Sequence, residues 1–398
     1  MSLSRWKIAL LIGMALIIVL GSGTFLIARL SNHANAPAHP TVLGNSNSAM
    51  FGFDLQHTHF NAAEHTLNAA NVSRLVSYWT ATTGSYVISS PVVANGIVYI
   101  GSYDQKLYAL DANTGNILWV HNTKSSIGSS PAIAQGIVYI GSNDHKLYAL
   151  NARTGKMLWT YTTRGDIWSS PAVANAVVYI GSNDNNLYAL DALTGKLLWT
   201  NNTGNFVSSS PAVVNDVVYV GSEDDELYAI DARTGETRWA AMVALPIRIS
   251  SPTIVNGVVY VGSEDGKLYA FDTRTGKALW TASTGGYIHS SPAVANGLVY
   301  IGSNDHKLYA FDARTGKLVW AFHTGNVIDS SPTIANGLIY VGSQDHKLYA
   351  LNARTGATLW TYMVGNIIDS SPTISNGVIY VGSWDGKLYA FHLSSRDR

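Results

Sequence analysis

The sequence predicts an all-β protein: an eight-bladed β-propeller of four-stranded antiparallel blades, closed by an N-terminal strand and preceded by one N-terminal transmembrane helix. Three observations lead there. The tripeptide Ser-Ser-Pro occurs eight times, with prolines at Pro91, Pro131, Pro171, Pro211, Pro252, Pro292, Pro332 and Pro372, spaced by 40 residues except for one step of 41. Each copy is followed by short β-rich runs separated by turn residues. Residues 8–28 form a stretch of 21 residues without a charge.

In chain order, the uncharged stretch comes first. At ~1.5 Å per residue it is long enough for the ~30 Å hydrocarbon core of a bilayer. Arg5 and Lys7 precede it, and only Arg29 follows closely. That bias favours a cytoplasmic tip and an extracytoplasmic bulk. A cleaved signal peptide is the alternative. It would have an apolar core of about 7–15 residues and a small-residue cleavage site. The run is longer than that, and Ala34-Asn35-Ala36 is followed by Pro37. Residues 1–30 are therefore read as tip and anchor, in a single-pass cell-membrane protein. Residues 31–48, small and polar with two prolines, are read as a flexible linker. Residues 49–398 are read as the propeller.

Within one copy, Pro91 opens a short run, a position where proline is tolerated in a strand. Asn95-Gly96 marks a tight hairpin into the next run. The segments KLYALD and NILWV supply the third and fourth strands. Periods of this length belong to propellers or solenoids, and no amphipathic helical run is present. The pattern A-x-[DN]-x-x-T-G-x-x-x-W occurs seven times and ends at Trp119, Trp159, Trp199, Trp239, Trp280, Trp320 and Trp360. An eighth copy starts at Ala390 and has no fourth strand, while Trp79 sits in a fourth strand without a third. Residues near 75–82 are thus expected to complete the last blade, which would pair edges otherwise exposed.

This repeat resembles the tryptophan-docking motif of the PQQ (pyrroloquinoline quinone) propeller repeat family, over about residues 49–393 and including the lead-in MFGFDLQHTHFN. The resemblance implies that Trp79 and the seven motif tryptophans pack between neighbouring blades. The family contains quinoprotein dehydrogenases and non-catalytic propellers similar to BamB. A dehydrogenase would want a stacking Trp, a cation, and carboxylates for Ca²⁺, types that Trp168, Arg248, Asp329 and Asp369 supply. Many such dehydrogenases also carry a disulfide between adjacent cysteines, and this chain has no cysteine. The reading adopted is a binding or scaffold module without cofactor. The alternative is a PQQ- and Ca-dependent dehydrogenase.

Comparing the eight copies separates scaffold from payload. The L-Y-A triplets, the Y-[IV]-G-S runs and the Asp from Asp104 to Asp385 recur in every copy, so blade geometry explains them. The residue before Ser-Ser-Pro varies freely: Ile88, Gly128, Trp168, Ser208, Ile249, His289, Asp329 and Asp369. It is expected to ring the mouth of the central channel. Trp168, Arg248, His289, Asp329 and Asp369 are the candidate site for a ligand or cation. Two neighbouring carboxylates there would raise a pKa or attract a cation. A plain solvated rim, with charges bonded to adjacent serines, is the simpler alternative. The acidic run EDDE, residues 223–226, is expected to be a solvated hairpin tip. His145, His306 and His346 are expected to be exposed turn residues.

Composition narrows the partners. Lysine plus arginine and aspartate plus glutamate both number 25, without a basic block, which argues against nucleic acid. The expected partners are the membrane, through the N-terminal helix, and a protein on one propeller face.

Overall fold

The computed structural model describes residues 50–394. The anchor and linker expected at 1–48 lie outside the described residues. Among the described ones, no helix is long and apolar enough to cross a membrane. Eight antiparallel blades follow one another, the first seven built from strands hydrogen-bonded in chain order. In blade 1 these are Val92–Ala94, Ile97–Ser102, Lys106–Asp111 and Ile117–Asn122. The short first strand is innermost and touches its counterparts in the flanking blades. Asn95 and Gly96 both adopt left-handed φ, 51° and 75°, as a two-residue hairpin between right-twisted strands requires. Leu75–Thr82 pairs antiparallel with Lys387–Leu393 and completes blade 8.

Burial follows from stacking blades face to face. The middle strands are buried on both sides, whereas the outer strand alternates towards solvent. Apolar clusters therefore span blade boundaries: one joins Tyr99 and Leu107 of blade 1 to Val138, Ile140 and Tyr148 of blade 2. Each motif tryptophan crosses such a boundary. Trp79 Nε1 donates to the Ala112 carbonyl at 3.0 Å, Trp119 to Ala152 at 3.0 Å and Trp199 to Ala232 at 3.0 Å. The glycine of the T-G turn makes room for the indole. A Cβ on Gly115, already at φ +71°, would lie 2.6 Å from Trp79 Cε3. The last boundary differs because blade 8 lacks that turn. Trp360 donates instead to the Leu75 carbonyl at 3.2 Å and meets Phe391 edge-on.

The Ser-Ser-Pro motif has two separate jobs. The first serine ties the two inner strands of its own blade: Ser89 Oγ accepts the Gly101 N–H at 3.2 Å, and all eight copies repeat this. The second serine ties blade to blade. Ser90 N–H donates to Ser130 Oγ at 2.9 Å, Ser130 to Ser170, and so on until Ser371 N–H donates to Ser90 Oγ at 3.0 Å. Eight hydrogen bonds thus close a ring around the axis, each satisfying a buried backbone donor.

The lead-in fills one end of the channel. Its carbonyls at Leu55, Gln56, Thr58 and His59 accept N–H groups of Val213, Ile254, Val294 and Ile334, on the inner strands of blades 4 to 7. Phe60–Asn61 pairs parallel with the blade 7 strand Thr333–Ala335. Phe51 packs edge-on against the buried His57 and His59. Burial lowers the two imidazoles to about 4 and about 3. Glu64 then accepts from Thr66, Leu67 and Gly377 backbone N–H groups and pins the chain across blade 8.

Candidate functional site

The opposite end of the channel remains open as a cavity of about 390 Å³ with Phe51 among its lining residues. All eight residues that precede Ser-Ser-Pro line it, from Ile88 to Asp369, together with the second serines. Trp168, Arg248, His289, Asp329 and Asp369 are all brought to this one cavity. The single step of 41 residues explains Arg248. Ile247 bonds Ser222 as Val87 bonds Ser383, and Ser250 holds Gly262 as Ser89 holds Gly101. The extra residue therefore falls in the variable slot, and both Arg248 and Ile249 face the cavity.

One half of the rim is ionic. Arg248 Nε lies 3.4 Å from Glu223 Oε1, and its Nη1 lies 3.4 Å from Glu264 Oε1. His289 bridges the next two acids, with Nε2 3.2 Å from Glu264 Oε1 and Nδ1 3.2 Å from Asp329 Oδ1. The Gln344 amide donates to Asp329 Oδ2 at 2.9 Å and to Asp369 Oδ1 at 3.2 Å. The charged groups thus bond mainly one another and the Gln344 amide, with Ser208 Oγ also donating to Glu223. Burial works against the charged form of His289, but Asp329 and Glu264 outweigh it and raise its pKa. Burial, and then the negative charge of Asp329, push the Asp369 carboxyl up to about 7.

The other half is aromatic. Tyr86 stacks on Trp384 at 4.9 Å, and Tyr103 meets Trp168 edge-on at 6.1 Å. Trp168 belongs to blade 3 and Tyr103 to blade 1. The indole reaches across because blade 2 has Gly128 at the variable position, where a Cβ would lie 2.9 Å from Trp168 Cε3. Burial first, and then Asp369, push the Tyr103 hydroxyl up to about 12.

Sequence reasoning missed the second layer of the rim. Glu223, Glu264, Gln344, Tyr103 and Trp384 all occupy the x of the S-x-D turn, which also varies among copies. The run EDDE is accordingly no solvated tip: the Glu223 side chain is 12% exposed, held by Arg248 and by Ser208 Oγ at 3.0 Å. Asp224 next to it is structural and accepts the Tyr228 hydroxyl at 2.7 Å, as every copy of that Asp does with its own Tyr. His145, His306 and His346 sit exposed at positive φ in this same turn.

A family model described as outer membrane protein assembly factor BamB matches residues 76–163, 121–321 and 309–398. No curated protein matches the sequence. Among solved structures, a europium-containing methanol dehydrogenase superposes with a TM-score of 0.77 at 17% identity, over 87% of this chain and 98% of its own. BamB from Moraxella catarrhalis superposes at 0.71 with 22% identity, over 80% and 99%. The computationally designed Ika8 protein does so at 0.72 with 19% identity, over 80% and 99%. Identities this low establish the fold and leave activity to the site. By its repeat, its eight-bladed ring and the family model that spans it, the chain belongs to the PQQ-repeat β-propellers described by BamB.

Proposed function

We propose that this protein is a non-catalytic binding module, held at the membrane by its apolar N-terminal run with the propeller outside the cytoplasm, and that it engages a protein partner through the cavity-bearing face. One observation carries the reading. Tyr86, Phe206, Leu245, Ile249 and Tyr287, each 42–54% exposed, stand on the loops around a cavity whose ionic groups are mostly held by one another. Exposed apolar groups around a concave centre suit association. The family's description as an assembly factor supports the same reading.

The dehydrogenase alternative draws on fold likeness. PQQ is a tricarboxylate, and the residues present fit it poorly. Among the described residues, Arg248 is the one guanidinium on the cavity, and two glutamates already hold it. Calcium takes about 6–8 oxygen ligands. Among the described residues, no group of three or more His, Asp or Glu is arranged to hold a metal.

Photo-cross-linking from positions 206 and 287, with position 158 on an outer strand as control, tests the proposal. The expected result is one discrete protein adduct from both mouth positions and none from position 158. Adducts from position 158 alone, or dye-linked turnover with PQQ and Ca²⁺, would sink it.

A further inference from the structure

We infer that the cavity binds a small organic cation: an ammonium group seated at Asp369, carried on an apolar or aromatic body that lies against Trp168. This rests on the reading of the mouth as a binding site and specifies what enters it.

The charge distribution is the first ground. Four carboxylates, Glu223, Glu264, Asp329 and Asp369, share one guanidinium and one imidazole. Both cationic groups lie towards blades 5 and 6. Among the described residues, no cationic side chain reaches ion-pair distance of Asp369, whose neighbour is the neutral Gln344 amide. Negative charge therefore accumulates at the blade 8 end, and an anion would be repelled there.

The second ground is what stands beside that end. Tyr103 feels the charge of Asp369, and its ring meets Trp168. A cation against a carboxylate with an aromatic face beside it gains from both. The cavity of about 390 Å³ suits a small ligand. A bare metal ion would use none of the aromatic wall.

The groups facing Asp369 are Asp329 and Gln344 from blade 7, Tyr103 from blade 1, Trp384 from its own blade and, further off, His289. Its carboxyl is raised to about 7, so a bound cation must displace a proton below that pH. Deprotonating His289 removes a competing positive charge and acts in the same direction. Affinity should rise at least about tenfold from pH 5.5 to pH 8.

The test uses the purified full-length chain, with phenethylammonium as probe and tryptophan fluorescence and calorimetry as readouts. Saturable binding at pH 8 is expected, with 3-phenylpropionate and Ca²⁺ alone giving none. Asp369→Asn should weaken phenethylammonium at least about tenfold and leave only the smaller pH dependence that His289 contributes. Trp168→Leu should weaken it about fivefold or more at unchanged thermal midpoint. Absence of saturation at about 10 mM would overturn the inference. So would equal binding of phenylpropionate, Ca²⁺ binding that competes with the probe, or unchanged affinity in both variants. Failure here with the mouth cross-link intact removes the cation and leaves the partner reading standing. Loss of the cross-link with probe binding intact does the reverse.

Discussion

The serine ring and the rim next to it lie two residues apart along the chain and obey opposite rules. At the second serine of each motif, eight copies hold one residue and make one bond, Ser90 to Ser130 and onward to closure. At the rim, eight copies hold six different residue types and make unlike contacts. The ring needs identity because each serine must satisfy its neighbour's buried N–H. The rim faces open space, so nothing in the fold constrains it. Symmetric positions close the propeller, and asymmetric ones give it a front, with an ionic side and an aromatic side.

Substitutions can break this contrast at either layer. The largest effect is expected from the frame. Trp199→Ala removes a side chain that is 9% exposed and should cost about 3–5 kcal/mol in denaturant unfolding. Trp168→Ala at the rim should stay within about 1 kcal/mol.

Next comes pH. The Asp369 carboxyl stays protonated in the folded chain up to about 7, against 3.8 as its ordinary value. Unfolding therefore releases a proton between these values, and stability falls as pH rises through the window. His289, raised above 6.5 in the fold, adds stability at low pH that is likewise lost as pH rises. Asp369→Asn should be more stable than the parent at pH 8, by about 2–4 kcal/mol, and equal to it near pH 3.5. Denaturation across that pH range checks the sign.

A smaller loss is expected within the ring. Ser331→Ala strips the acceptor from the buried Ser291 N–H and should cost about 1–3 kcal/mol. Ser208→Ala, at the variable position of blade 4, should cost less. The smallest effect sharpens the comparison at the closing seam. Tyr300 donates to the Ala353 carbonyl at 3.1 Å, but the Tyr340 hydroxyl is buried without a protein partner, because blade 8 has no T-G turn to offer one. Tyr300→Phe should cost about 0.5–1.5 kcal/mol, whereas Tyr340→Phe should be neutral or slightly stabilising.

The frame was legible because repetition is its mechanism. Seven complete motifs plus a stranded Trp79 fix eight blades and the closing strand Leu75–Thr82 without reference to any fold. The first layer of the rim was legible as variation inside a fixed pattern. The second layer carried the same signal at Glu223, Glu264 and Gln344. It was overlooked because an acid in a turn reads as solvated when one copy is considered alone. Its partners are set by three dimensions: His289 meets Glu264 from 25 residues away and Asp329 from 40. Arg248 could be suspected from the 41-residue step, but only backbone register shows that the insertion lies in the rim slot. That the lead-in fills the channel leaves no periodic trace, since residues 50–61 belong to no repeat.

The central claim is that the mouth binds without redox chemistry, and one measurement tests it most directly. The thermal unfolding midpoint of the full-length chain would be recorded over a titration of PQQ with Ca²⁺, since any ligand selective for the fold must raise it. An unchanged midpoint up to high concentration is the result predicted. A dose-dependent rise that disappears in the Asp329→Ala/Asp369→Ala double variant would contradict the account and place a quinone cofactor at the rim.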